Sequence, residues 1–320
     1  MASFGFHASH EQFSPKELFD CVRAAEQAGF AGVMSSDHIT PWSEQQGQSG
    51  FAWSWLGAAM QATTLPFGII TVPSGWRYHP AIVAQAGATL AQMFPGRLPW
   101  MALGSGQALN EHVVGRRWPE KGERNARLGA AVEIIRALWA GATVTRRRPI
   151  PIEEAKLYTL PKTLPQLIGA ALSPATAEWA AGWADGLITI NQPRDQLRRI
   201  IDAFRRGGGE DKPLFLQVHV SFAGSETEAR RNAYDQWRSN AISASVAETL
   251  RTPQELSGVT KTVRPEDLDE HVRISADLGR QIEWLEEDAA MGFREIYVHN
   301  VGRNQLQFIE AFGKRLPRTS

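Results

Sequence analysis

The feature that most constrains this chain is an alternation: short β-rich runs give way repeatedly to stretches with helical periodicity. Parallel strands covered by helices produce that rhythm, because each parallel pair needs a crossover and a helix is its usual form. The runs are Phe4–Ala8, AGVMSS, FGIITV, RLPWMALG, LPQLIGAA, DGLITI, PLFLQVHVSF and REIYVHNV. Helical patterns follow from Pro15, Trp53, Pro80, Lys121, Ser173, Pro193 and Ser225, then over IEWLEEDAAMGF before the final strand and NQLQFIEAFGKRL after it. Ser14-Pro15-Lys16-Glu17 is a capping box with proline at the first helical position, and Gly29 ends that helix. About eight strand–helix cycles in 320 residues predict one α/β domain, a (β/α)8 TIM barrel. An open doubly wound sheet is the alternative, but no GxGxxG opens the first βα turn. Two stretches break the rhythm, about 142–163 and 241–275, and read as insertions after the fourth and seventh helices. Pro99 inside the fourth run predicts an irregular start to that strand.

Lys+Arg and Asp+Glu both count 34, so a nucleic-acid partner, which needs basic excess, is not expected. No apolar run is long enough for a membrane span, and the first residues lack the charged-then-apolar pattern of a signal peptide. Cys21 is the only cysteine, which excludes a disulfide framework and a cysteine-based zinc site. A soluble, cytoplasmic protein is expected.

A barrel carries its chemistry where its strands end. Asp37-His38 ends strand two, and a carboxylate beside an imidazole suits acid–base work or a structural turn. Trp42 can wall a flat ligand or simply pack. Gly104-Ser105-Gly106-Gln107 after strand four lets backbone N–H groups approach a ligand, although a tight turn needs the same glycines. Ser173 after strand five opens a helix whose N-terminus suits a phosphate, and it also serves as a plain cap. His219 and His299 sit late in strands, where hydrogen-bonded barrel histidines are common. No metal-ligand spacing is present. Arg146-Arg147-Arg148 reads as a solvated run. Trp53, Trp55 and Trp76 suit an aromatic entrance or the core equally.

Ser36-Asp37-His38-Ile39-Thr40-Pro41-Trp42, Arg77-Tyr78-His79-Pro80-Ala81 and Gly104-Ser105-Gly106-Gln107-Ala108-Leu109-Asn110-Glu111 together resemble the bacterial-luciferase-like superfamily. Within it they are most similar to the branch of deazaflavin-dependent glucose-6-phosphate dehydrogenases, from FHASHEQFSPKEL to the last strand. The resemblance implies a homodimeric TIM barrel holding FMN or coenzyme F420 at the strand ends, with hydride transfer at the ring. It implies catalytic roles for His38, Trp42 and Gln107, and cofactor contacts from Asp37, Ile70, Thr71, Gly104, Gly106, Gln107, Asn110, Ala171 and Ser173. Ile70-Thr71 falls where the family carries a bulged, non-proline cis peptide.

Several positions depart from that branch. Gln107 stands where the sugar-phosphate enzymes carry an acidic residue, and an amide does not donate a proton in that role. Ile190 and Pro193 replace their phosphate-binding Thr and Lys, and His271 falls on their Arg, so glucose 6-phosphate is not the expected substrate. Leu172-Ser173-Pro174 replaces their Gly-Gly-Pro turn and resembles FMN-binding members, including an offshoot that returned to FMN. The expectation is therefore a flavin-dependent oxidoreductase, with FMN ahead of F420, acting on a small organic molecule by hydride transfer or by monooxygenation. A non-catalytic flavin-binding protein is the second reading. An unrelated barrel hydrolase or isomerase is the third, and lacks the paired carboxylates or metal cluster it needs.

Overall fold

A computed structural model describes residues 2–316 of the chain. Eight parallel strands close on themselves, in the order β1 (Ser3–Ala8), β2 (Val33–Ser36), β3 (Phe67–Thr71), β4 (Trp100–Leu103), β7 (Gln166–Ala170), β8 (Leu187–Ile190), β9 (Leu214–Ser221) and β11 (Glu295–Asn300). The seam is the pairing of β1 with β11, from Ser3↔Glu295 to Phe6↔Val298. This is the expected (β/α)8 barrel. Helices α1 (Pro15–Ala28), α2 (Ala52–Ala62), α3 (Pro80–Met93), α5 (Lys121–Trp139), α6 (Pro174–Ala181), α7 (Arg194–Phe204), α8 (Glu226–Trp237), α11 (Leu278–Ala289) and α12 (Gln305–Gly313) accompany the strands. A four-residue helix, α4 (Ala108–Glu111), follows β4.

Local chemistry explains the boundaries. The Ser14 cap, the Glu17 reach-back and left-handed Gly29 (φ 93°) bracket α1, whose Leu18, Cys21, Val22 and Ala25 are buried. Pro99 lies just outside β4, where its carbonyl accepts Gln166 N–H at 2.9 Å, so the awkward proline starts the strand rather than breaking it. Inside the barrel Met34, Trp100, Ala102, Ile168, Ile188, Phe215 and Tyr297 form a closed apolar plug. Trp100 occupies the space above Gly68, where an added Cβ would lie 2.0 Å from the indole. Trp53 and Trp55 belong to the core between strands and helices, so they do not line an entrance.

Both insertions gain structure. The first is the hairpin β5 (Val144–Arg146) and β6 (Ile152–Ala155). The second holds α9 (Ala244–Ala247), α10 (Pro253–Val259) and β10 (Arg273–Ile274), which pairs with the end of β9. The helix expected from Ile282 begins at Leu278, because the Asp277 carboxylate accepts the N–H groups of Gly279 (2.8 Å) and Arg280 (3.4 Å).

Candidate active site

Side chains alternate along a strand, so every second residue points into the barrel. At the strand ends this divides the mouth into two halves. On β3, β4, β7 and β8 the last inward positions are Ile70, Gly104, Ala170 and Ile190, all apolar and all partly open to solvent. On β9, β11, β1 and β2 they are His219, His299, His7 and Ser36, all polar and buried. A flat ring system fits the first half, and a polar reacting group fits the second.

His38 stands at the rim of the polar half, just beyond β2. Its Nδ1 is hydrogen-bonded to Glu11 Oε1, a residue of the β1–α1 loop. Ser9 Oγ donates to the other Glu11 oxygen at 2.9 Å. Burial alone would raise the Glu11 carboxyl, but the charge and hydrogen bond of His38, with His7 and His10 adding, hold it down at about 2. The Glu11 side chain is 2% exposed and that of His38 22%, so the pair has a dry end and an open end. Nε2 has no hydrogen-bond partner among the described residues. Trp42 meets the imidazole edge-on, with ring centroids 5.2 Å apart.

Asp37, by contrast, is fully engaged within the protein. One carboxylate oxygen accepts Thr71 Oγ1 (2.8 Å), and the other accepts Arg77 Nη1 (3.2 Å) and Tyr78 Oη (3.0 Å). Arg77 Nη2 also donates to the Asp37 carbonyl at 2.7 Å. Glu111 takes the far side of Arg77, accepting its backbone N–H at 3.0 Å and lying 3.5 Å from Nε. Asn110 Oδ1 accepts the N–H groups of Ile39 (2.9 Å) and Thr40 (3.2 Å). Ser49 Oγ donates to the His38 carbonyl at 2.8 Å. The turn that carries His38 is thus pinned on both sides.

Beneath it lie His7, His299 and His219, with ring centroids 4.5 Å and 5.5 Å apart in succession, and Trp237 4.5 Å from His299. Burial pushes His7 down to about 4 and His219 to about 3, and puts His299 well below the usual histidine range. All three are neutral at physiological pH. Gln12 ties this floor to β11, its Oε1 accepting from His299 Nε2 (2.8 Å) and its Nε2 donating to the Val301 carbonyl (2.8 Å). Among the described residues no grouping of three or more His, Cys, Asp or Glu has a metal-holding arrangement.

Of the other expected site residues, Gly104, Gly106 and Gln107 form the loop into α4 and are partly exposed. Gly106 takes φ 87°, and a Cβ on Gly104 would meet nothing within 4 Å, so the loop leaves open space beside the apolar half. Ala171 is buried, its N–H bound to Ile188 at 3.0 Å. Ser173 caps α6, its Oγ 3.0 Å from Thr176 Oγ1, which places two hydroxyls at one helix N-terminus. The Ile70–Thr71 bulge and cis peptide expected above are absent. Both residues keep register with β4, Ile70↔Ala102 and Thr71↔Leu103, and Ser36↔Ile70 holds the other side. A ladder satisfied on both edges leaves no room for the extra twist of a bulge. The one cis peptide among the described residues is Arg148-Pro149.

The second insertion roofs the mouth. The Glu248 carbonyl accepts Ala108 N–H (3.1 Å), and its carboxylate accepts Arg124 Nη2 (2.5 Å). Gln254 Nε2 donates to Glu44 in the β2–α2 loop at 2.5 Å. Glu11, Gln12 and Arg77 carry the site's organisation yet were assigned no role above. Their sequence signals were position, in the loops directly after the first and third strands, and membership of stretches that carry the family resemblance.

The profile of the luciferase-like monooxygenase family matches residues 1–294. The chain is 33% identical to the F420-dependent glucose-6-phosphate dehydrogenase of Microbacterium testaceum, across 98% of this chain and 96% of that protein. It is 30% identical to the enzyme of that name from Kribbella flavida, across 96% and 95%. Among solved structures, an F420-dependent secondary alcohol dehydrogenase in complex with an F420–acetone adduct superposes with TM-score 0.91 at 27% identity, covering 100% of this chain and 99% of that one. The FMN-bound oxygenating component of 3,6-diketocamphane monooxygenase from Pseudomonas putida shares the fold, at TM-score 0.69 and 17% identity over 99% and 98%. A closed barrel with its polar groups gathered at the strand ends, matched over nearly its whole length by such proteins, places this chain in the luciferase-like monooxygenase family.

Proposed function

We propose that the protein is a flavin-dependent oxidoreductase that moves a hydride to or from a small, uncharged alcohol or carbonyl compound, with His38 handling the proton. The carrying observation is the Glu11–His38 pair, buried at one end and open at the other. The residues fit a flavin-type cofactor: a half-open apolar floor from Ile70 to Ile190, open space at Gly104 and the Ser173–Thr176 hydroxyls at the α6 N-terminus for a phosphate. When bound, that cofactor would supply the hydride-accepting or hydride-donating ring atom.

In the oxidising direction the substrate hydroxyl gives its proton to His38 Nε2. The resulting imidazolium is stabilised by the Glu11 carboxylate across Nδ1, in the manner of an orienting acid behind a catalytic histidine. The reverse direction returns that proton to the carbonyl oxygen. Neutral His7, His219 and His299 offer hydrogen bonds without charge, and three arginines of the site are each held by carboxylates: Arg77 by Asp37 and Glu111, Arg124 by Glu248, Arg273 by Asp288. Guanidiniums engaged in this way are not offered to a phosphate, and an uncharged substrate needs none.

FMN is the cofactor we favour, on Ser173 and Thr176. Coenzyme F420 is the second reading, supported by the relatives at 30–33% identity. Titration of purified protein with each cofactor, read by tryptophan quenching and cofactor absorbance, separates the two. His38→Ala should keep the cofactor and lose turnover, and full turnover by that variant sinks the proposal. Oxygen consumption coupled to product would redirect it to monooxygenation, and a protein-bound reduced cofactor that reacts no faster than free cofactor would favour a storage role.

A further inference from the structure

We propose that Arg77 is a positioning residue for the reaction: it yokes the turn that carries His38 to the loop that borders the cofactor floor, so that the proton-handling imidazole and that loop hold one fixed spacing. The inference rests on the reading that His38 handles the substrate's proton.

Arg77 reaches neither His38 nor the open mouth. Its side chain is 8% exposed, and the guanidinium lies between two carboxylate side chains that are nearly sealed from water, Asp37 at 0% and Glu111 at 1%. Asp37 is covalently next to His38, and Arg77 holds both its side chain and its carbonyl. Glu111 is the last residue of α4, directly after the Gly104–Gln107 loop. Asn110, its neighbour, grips the same turn from the other direction through Ile39 and Thr40. Arg77 therefore closes a ring from the β2 exit through Arg77, Glu111 and Asn110 back to the β2 exit: its guanidinium holds Asp37, its backbone N–H is bonded to Glu111, and Nε stands 3.5 Å from the Glu111 carboxylate. A planar fork with five donors can face a carboxylate, a carbonyl and a second carboxylate at once, which an ammonium cannot. A ring of this kind resists shear, so the distance from the imidazole to the cofactor loop is set by the protein before any ligand arrives.

The burial also explains why two carboxylates are used. Asp37 alone would satisfy one edge of the guanidinium and tie Arg77 to the β2 exit only. Glu111 supplies the second point of attachment on a different element, and two anchors on different elements define an orientation. Tyr78 Oη completes the Asp37 shell and lies 3.1 Å from Arg77 Nη1.

The test uses the cofactor-loaded enzyme and a substitution cycle. Arg77→Lys keeps the charge and loses the fork, and Glu111→Gln keeps the shape and loses one anchor, so neither leaves a bare buried charge on the Asp37 side. Each should lower kcat by up to about 10²-fold, as a displacement of about 1 Å can, with substrate KM and cofactor Kd within about twofold of wild type. On a His38→Ala background Arg77→Lys should cost nothing further, because the group it positions is gone. In the cofactor-free protein, the His38 ring resonances should broaden or split in Arg77→Lys and stay sharp in wild type. An unchanged kcat in both single variants overturns the proposal. So does an equal loss with and without His38, which would make Arg77 a general stabiliser. Full activity in His38→Ala alone overturns the proposed function instead, and the cycle tells the two failures apart.

Discussion

Glu11 and His38, from different βα loops, form a buried hydrogen-bonded pair at the rim of the barrel mouth. Removing the negative end while keeping its shape isolates that relationship. Glu11→Gln should lower kcat by about 10²-fold, within the range general acid–base catalysis contributes, and leave cofactor Kd unchanged. Steady-state kinetics beside a cofactor titration checks it, and a loss confined to binding would contradict it.

Acid should unfold this protein through its histidines. An unfolded histidine takes up its proton near 6.5, whereas His7 and His10 in the barrel do so at about 4 and His219 at about 3. Between those values the unfolded chain holds protons that the native chain does not, so stability is complete above about pH 7 and falls as the pH drops towards 4. Each histidine adds a slope of about 1.4 kcal/mol per pH unit. Glu11 acts in a lower window, its contribution being lost between 4.5 and about 2. Urea denaturation from pH 8 to pH 4 measures the slope. His219→Gln should flatten it, and a variant as steep as wild type would remove His219 from the account.

Gly68 is where the barrel interior should be least forgiving. An added methyl meets the Trp100 ring at 2.0–2.4 Å, and that indole is held by Phe215 and Tyr297 at centroid distances of 5.4 Å and 5.6 Å. Gly68→Ala should cost about 1–3 kcal/mol through overpacking, and pairing it with Trp100→Phe should recover part of the loss. Melting temperatures of the three variants decide it.

Glu248 joins the roof to the loop below through Arg124 and Ala108. Glu248→Ala should raise amide hydrogen exchange across residues 241–262 and leave the barrel strands protected, because only the roof loses an anchor. Unchanged exchange there would mean that the Glu248–Arg124 pair does not hold the insertion.

The barrel was legible in the sequence because its strands and helices obey different periods, and caps such as Ser14 and Ser173 mark the joins. His38, Trp42 and the Gly104–Gln107 loop were legible through position and motif. The partners of Asp37 were not. Asp37 could as well have faced a ligand, and only the fold shows Thr71, Arg77 and Tyr78 filling its carboxylate. Glu11 was hidden for a related reason: pairing between loops depends on which strands are neighbours in the barrel, which no local pattern encodes. The regular Ile70–Thr71 ladder likewise follows from edges supplied by β2 and β4.

The seam between β1 and β11 carries a consequence for folding. Gln12 is bonded to His299 and Val301, residues almost the whole barrel away along the chain. Such a contact rewards the chain only after a very long loop has closed, so the floor beneath His38 is completed when the barrel itself closes and not before.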